Sequence, residues 1–480
     1  MFRRAAHAAW SSATLMTWGS LLIRMGGLAL LLPLVLTRLD TKQVLVWQML
    51  STITMMVNWT DFGFSPTFSR IIAFARGGGT LRDLYAARPG KANWPVSDEE
   101  ATRPLDLSAV LGTQRSIYRR LIVCAMVVAL VFGTGALWKP VRELAQPSDG
   151  WLAWAFTAGA ALLTLANGAN VSVLTGFDRI ATARRVEAAC GVLQLSSTSI
   201  VTLTGGGLVA IVACYSFWLI PMALANRHNV AQLGLDLSEA ARRGLDRSIF
   251  HVVWPAAWRS GIGILMSTGI IQASGLIYAQ IAQAQAAAAY LLALRLFTAI
   301  SQISQAPFYS RLPAMAHARG KQNFTEVASL AKRGMAMAHW TFVAGALTMT
   351  IVAPWALQLI GSSVHWPPYS LAALLGLAFF AERYGGMHMQ LYSLTNHIIW
   401  HLVNGATGMT MIIAFAALWP FLGATALPLA MLIGYLGVCT WYASSRALAS
   451  LNLHRWSFEK ATAFWPGCVL IVGLMVYPSA

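Results

Sequence analysis

The chain has 480 residues, 57% hydrophobic and only 11% charged, with a formal net charge of +17 and a mean hydropathy of +0.59. A soluble domain carries roughly twice that charged fraction, so a soluble enzyme or nucleic-acid-binding domain is excluded. Apolar stretches of about 20 residues, enough to cross ~30 Å of hydrocarbon, recur along the sequence. The alternation of a membrane barrel is not visible, so the expected fold is an all-α polytopic membrane protein.

The opening segment, MFRRAAHAAW, is basic, and the apolar run after it is too long for a signal peptide and is interrupted by Arg24. It reads as a retained first span. The pattern predicts twelve spans at about 14–37, 43–75, 119–138, 151–175, 185–204, 206–226, 253–278, 285–308, 335–360, 367–391, 398–419 and 422–445. A shorter apolar piece at 464–477 is marginal for crossing. The predicted organisation is a six-helix lobe at 1–226, a cytoplasmic linker at 227–252, a second six-helix lobe at 253–446 and a tail at 447–480.

Loop charge orients these spans. On one side the loops hold only Arg38, Lys42, Lys139 and Arg142, while the N-terminus and the long loops at 76–118, 227–252 and 309–334 are rich in Lys and Arg. Positive residues stay in the cytoplasm, so the N-terminus is expected inside. The same rule explains the net charge without nucleic acid as a partner. The five cysteines (Cys124, Cys190, Cys214, Cys439 and Cys468) lie in apolar stretches with no CxxC pair, which argues against disulfides or a zinc ribbon.

Ionisable groups inside spans are costly and by default face a protein interior or a watery cavity. In chain order they are Arg24, Asp61, Arg70, Arg259, Arg295, Glu382 and Arg383. Asn58, Asp61, Ser65 and Ser69 form one helical stripe on the second span, which Pro66 is expected to kink. Arg295 shares its helix face with Thr298 and Gln302. The first two helices of each lobe thus bring polar groups to membrane depth, with cations outnumbering anions. Asp61 is a candidate coupling group. Glu382 and Arg383 are neighbours whose side chains leave the helix ~100° apart, which suggests ion pairs to other helices. Asn167 and Asn170 suit interhelical hydrogen bonds.

Other signals are weaker. His397 and His401 stand four apart near His388, but no HExxH register accompanies them, so no metal is expected. The triple glycines at 77–79 and 205–207 lack the Lys and Ser/Thr of a phosphate loop. No nucleotide motif or catalytic constellation is present, so the chain reads as a transporter and not an enzyme, with no cofactor.

The stretch NWTDFGFSPTFSRIIAFARGGG at 58–79 resembles the end of the second helix in polysaccharide and O-antigen flippases. These belong to the multidrug/oligosaccharidyl-lipid/polysaccharide exporter superfamily. Tyr118-Arg119-Arg120 before the third span and the twelve-helix plan extend the likeness over nearly the whole chain. The resemblance implies two six-helix lobes around a central cationic cavity, working by alternating access in a bacterial cytoplasmic membrane. It implies an undecaprenyl-pyrophosphate-linked oligosaccharide as cargo, with membrane lipids and other polysaccharide assembly proteins as partners. A proton gradient, a sodium gradient or the membrane potential would drive it. Arg24, Asn58, Asp61, Arg70, Arg259, Arg295 and Gln302 would line the cavity, where Arg offers phosphate a planar fork. A multidrug exporter of the same superfamily is the nearest alternative, and a membrane polymerase or glycosyltransferase a more distant one.

Overall fold

The computed structural model describes residues 26–80, 102, 104–395 and 399–476. Among them the chain is helical, with one isolated bridge between Thr80 and Pro104 and no strand. Nine helices among the described residues are long and apolar enough to cross a membrane. One of these, Trp400–Ala449, ends its first arm at Gly423, whose φ of +51° caps the helix and lets the chain turn back on itself. The fold is therefore that of a polytopic α-helical membrane protein, as composition requires.

The chain divides into two compact units, Met1–Gly261 and Ile262–Ala480. In unit 1 the described helices are α1 (Leu32–Arg38), α2 (Thr41–Asn58), α3 (Phe64–Arg76), α4 (Leu107–Arg142), α5 (Pro147–Gly176), α6 (Ile180–Leu203), α7 (Leu208–Ala231) and α8 (Leu237–Arg243). Helix α9 (Arg247–Ile281) contains the boundary between the units. Unit 2 continues with α10 (Ala284–Gly320), α11 (Phe324–Leu359), α12 (Tyr369–Ser393), α13 (Trp400–Leu422), α14 (426–449) and α15 (Arg455–Val476). The marginal 464–477 piece is thus the latter part of a 22-residue helix that begins at Arg455.

Local sequence sets the helix ends. Asp40 accepts the backbone N–H groups of Lys42 and Gln43, while the Gln43 side chain accepts the Asp40 N–H. This reciprocal cap satisfies donors that α2 would otherwise leave orphaned. Asn323 similarly accepts the Glu326 N–H at the start of α11.

Lipid supplies no hydrophobic force between helices, so close packing through small residues and hydrogen bonds must hold them together. In unit 1, α5 is the hub, in contact with α2, α3, α4 and α7. A Cβ on Gly176 would meet Ile72, and one on Gly133 would meet Trp154. Asn226 of α7 donates to Asn167 of α5 (3.2 Å), and Gln114 of α4 donates to Ser172 and to the Ala169 carbonyl. In unit 2, α11 packs on α10, α12 and α15, around a core that includes Phe308, Met335, Met387, Leu391 and Phe458.

The segment between α7 and α9 is docked, not free. Helix α8 packs on the first turns of α4. A Cβ on Gly112 would lie 2.4 Å from the Ala240 carbonyl oxygen and 2.9 Å from that of Gly244. The Asp246 N–H donates to Thr113 Oγ1 (2.9 Å), and Arg243 pairs with Asp106 and with Glu239. Partial burial pushes the Asp106 carboxyl up, but hydrogen bonds from Ser108 and the Arg243 guanidinium outweigh it and hold it below the usual range. A depressed carboxyl stabilises docking above its ordinary pKa, and that contribution fades as pH falls through the lowered value. Exposed as the pair is, its contribution is small. The backbone contact at Gly112 matters more. Gly112→Ala should loosen α8 by about 1–3 kcal/mol, seen as faster limited proteolysis within 231–247; an unchanged cleavage pattern would contradict this packing role.

Candidate functional site: a broken helix and membrane-depth cations

The second predicted span is two helices joined by a break. Helix α2 ends at Asn58, a 3-10 turn covers Trp59–Asp61, and Phe62 and Gly63 follow with φ of +49° and +78°. The interruption lies upstream of Pro66, correcting the expectation that Pro66 is the kink. Pro66 sits in the first turn of α3, where its missing N–H leaves no bond unmade. Two consecutive left-handed residues break the helix instead, and glycine is the residue that adopts this conformation without a Cβ penalty.

The break is seated on α9 within unit 1. A Cβ on Gly63 would stand 2.8 Å from Ser260 Cβ, and one on Gly261 would fall inside the Phe62 ring. Phe64 meets Trp254 with ring centroids 6.4 Å apart. Two glycines thus allow a close crossing at the depth where the polar residues lie.

Asp61 is held on both oxygens. Its Oδ1 accepts the Tyr118 hydroxyl of α4 (2.6 Å) and its Oδ2 the Ser65 N–H (3.0 Å). The carboxylate therefore caps α3 and ties it to α4. Asn58 is half-buried, and its Oδ1 is buried with no hydrogen-bond partner among the described residues. Ser69 donates back to the Ser65 carbonyl (2.9 Å). Arg70 is exposed on a stripe with Pro66 and Ala73, opposite the buried Phe64, Phe68 and Ile72. Arg259 is also exposed, its guanidinium 5.8 Å from the Trp258 ring centroid. Arg24 lies outside the described residues.

In unit 2, Arg295 and Gln302 occupy the less buried face of α10, while Leu294, Phe297, Ser301 and Ser304 are buried on the other. Glu382 and Arg383 pair with each other (3.1 Å), which corrects the expectation that neighbouring residues would seek partners on other helices. Both reach the same hydroxyl. Ser301 of α10 donates to Glu382 (3.1 Å) and accepts from Arg383, which also donates to Gln305 (2.8 Å). The ~100° divergence applies where side chains leave the helix, and these two are long enough to converge beyond it.

Sequence reasoning missed two groups. Tyr118 stands in the sequence only as a neighbour of two arginines, and no signal in a single sequence pairs it with Asp61. Glu459 of α15 accepts the Tyr384 hydroxyl (2.5 Å) and lies 3.2 Å from His388 Nε2. The signal for it is the length of its helix: begun at Arg455, the segment carries an acid four residues after its start. His388 is thereby engaged with a carboxylate, and His397 lies outside the described residues.

No family model matches the chain, and no curated protein matches it in sequence. The likeness is in the fold. An inward-facing multidrug resistance MATE family transporter of the MOP superfamily superposes with a TM-score of 0.65 at 12% identity, over 94% of this chain and 97% of that one. The MATE transporter ClbM, solved with Rb+, gives 0.53 at 13% identity over 94% and 96%. The lipid II flippase MurJ, in an inward closed conformation, gives 0.53 at 9% identity over 92% of each chain. The protein is a multi-pass membrane protein with the fold of MOP-superfamily transporters.

Proposed function

We propose that the protein is a flippase that moves a polyprenyl-pyrophosphate-linked oligosaccharide, an O-antigen or other surface-polysaccharide unit, across a bacterial cytoplasmic membrane by alternating access. One observation carries this reading: the membrane-depth acids are already engaged, while two membrane-depth cations are open. Asp61 is held by Tyr118 and Ser65, and Glu382 by Arg383 and Ser301. Arg70 and Arg259 are exposed, with no carboxylate partner among the described residues. Such a surface favours a multiply charged anion, and guanidinium forks suit pyrophosphate oxygens. The lipid II flippase among the similar folds supports the same reading.

The two MATE transporters support a multidrug exporter equally well at the level of fold. An exporter of organic cations would need a free acid, and the engaged state of Asp61 and Glu382 weighs against it. Asp61 remains our candidate for coupling to a proton or sodium gradient, since losing the Tyr118 bond would free a carboxylate oxygen.

Proteoliposomes containing the full chain distinguish the readings. Flipping of a fluorescent undecaprenyl-pyrophosphate oligosaccharide is expected, and Arg70→Gln or Arg259→Gln should slow it about tenfold or more, the worth of one charged hydrogen bond. Lysine at either position should retain part of the rate. Efflux of an organic cation such as ethidium, with no movement of the lipid-linked sugar, would overturn the flippase reading in favour of the exporter.

A further inference from the structure

We propose that unit 2 contains a buried proton-binding site, formed by His388 of α12 and Glu459 of α15, and that the bound proton fastens α15 to α12. The site is separate from Asp61, which belongs to unit 1, and it does not depend on the cargo.

The tautomer of His388 carries the argument. Its Nδ1 lies 2.9 Å from the Tyr384 carbonyl oxygen, one turn back on α12. A carbonyl only accepts, so Nδ1 bears a hydrogen, and in a neutral imidazole the other nitrogen is then a bare acceptor. That nitrogen, Nε2, stands 3.2 Å from Glu459 Oε1 and has no hydrogen-bond partner among the described residues. An ionised carboxylate is acceptor-only as well, so two lone pairs would face each other. One added proton resolves the contact, on the imidazole as an imidazolium–carboxylate pair or on the carboxyl as a donor to Nε2. The Tyr384 hydroxyl does not supply it, because its hydrogen is already given to Oε1 (2.5 Å).

Burial makes the proton necessary. The His388 side chain has no exposed surface and that of Glu459 is 13% exposed, and an unmet acceptor in such a place is costly. The rings of Tyr384 and Phe458 flank the imidazole, with centroids 4.4 and 6.0 Å away. His339 of α11 does not compete. Its Nδ1 lies 3.1 Å from the Thr462 carbonyl oxygen of α15, and a proton on its buried Nε2 would meet no acceptor among the described residues. Thr462 sits in a π-turn, Lys460–Phe464, a feature frequent at functional sites. The cations on the neighbouring elements are engaged elsewhere: Arg383 pairs with Glu382, Arg455 donates to Ser444, and Lys332 lies over the Phe458 ring. Glu459 stands about 6 Å along the helix from the exposed Arg455, within a proton's reach of the membrane surface. Releasing the proton sets α12 against α15 at this point, while His339 still ties α15 to α11.

An unfolded chain gives up its histidine proton at about pH 6.5. Above that pH the folded pair holds a proton that the unfolded chain lacks. Its contribution to stability is present in full just below that pH and is lost as pH rises through the release. The test uses the purified full chain in detergent, with thermal midpoints taken from about pH 6 to about pH 9. In Glu459→Gln the amide N–H groups donate to the bare His388 Nε2 and to the Tyr384 oxygen, so the contact persists with no proton to lose. The wild-type midpoint should therefore fall relative to this variant as pH rises. A difference that is the same at every pH would mean hydrogen bonding without a titrating proton and overturns the proposal. Hydrogen exchange on the unsubstituted protein checks it independently of how the variant folds. Protection of the first turns of α15, corrected for the intrinsic pH dependence of exchange, should drop about tenfold over that range, the worth of one charged hydrogen bond. Constant protection also overturns the proposal.

Discussion

Arg383→Ala is expected to be destabilising, by no more than the about 3–5 kcal/mol that removing one partner of a fully buried ion pair costs, since Glu382 keeps 28% of its side-chain surface exposed. Arg383 is 5% exposed and binds three groups at once: Glu382, Ser301 and Gln305. Its loss leaves the Glu382 carboxylate with the Ser301 hydroxyl as its one hydrogen-bond partner among the described residues, and removes two hydrogen bonds that tie α12 to α10. Thermal unfolding in detergent would show a large drop in midpoint. Glu382→Gln should also destabilise, because the buried Arg383 charge loses its counter-charge, but by less, since the amide oxygen still accepts from Ser301 and Arg383 keeps Ser301 and Gln305. Equal losses in the two variants would show that the charge pair, and not the arginine's bridging hydrogen bonds, holds the helices.

Gly63→Ala is expected to impair transport and stability together. A left-handed residue with a side chain costs ~1–2 kcal/mol, and overpacking against a close neighbour adds ~1–3 kcal/mol. The neighbour is Ser260 Cβ, 2.8 Å from where the new methyl would sit. Ser260→Gly in the same molecule removes the steric part and leaves the backbone part. The double variant should therefore recover about half of the loss, in midpoint and in transport rate. Full recovery would mean that backbone strain at Gly63 is negligible; no recovery would mean that α9 does not press on the break.

Tyr118 shows why part of the site was not legible in the sequence. Asp61 stands out in any hydropathy pattern because a charge within a span is costly. Its partner does not, since a tyrosine at a membrane interface is ordinary and the two are separated by 57 residues. The position of the helix break is hidden in the sequence for a related reason. Pro66 is the conspicuous breaker in the stretch, whereas Phe62 takes a left-handed conformation that nothing in its side chain announces. The pairing of Glu382 with Arg383 is not legible either, because helical angles describe where side chains begin, not where long ones end.

The sequence by itself determined the solvent, the element type and the inventory of costly groups. Long apolar runs leave the helix as the way to satisfy the backbone in lipid, and charged residues inside those runs declare themselves by their cost. Only the tertiary structure decided which of those charges are spent on the protein and which remain open. Asp61, Glu382 and Arg383 are satisfied by neighbours brought together from distant segments, while Arg70 and Arg259 are exposed. Pairing depends on three-dimensional proximity at the scale of a hydrogen bond, and helix periodicity carries that information along one helix but not between two.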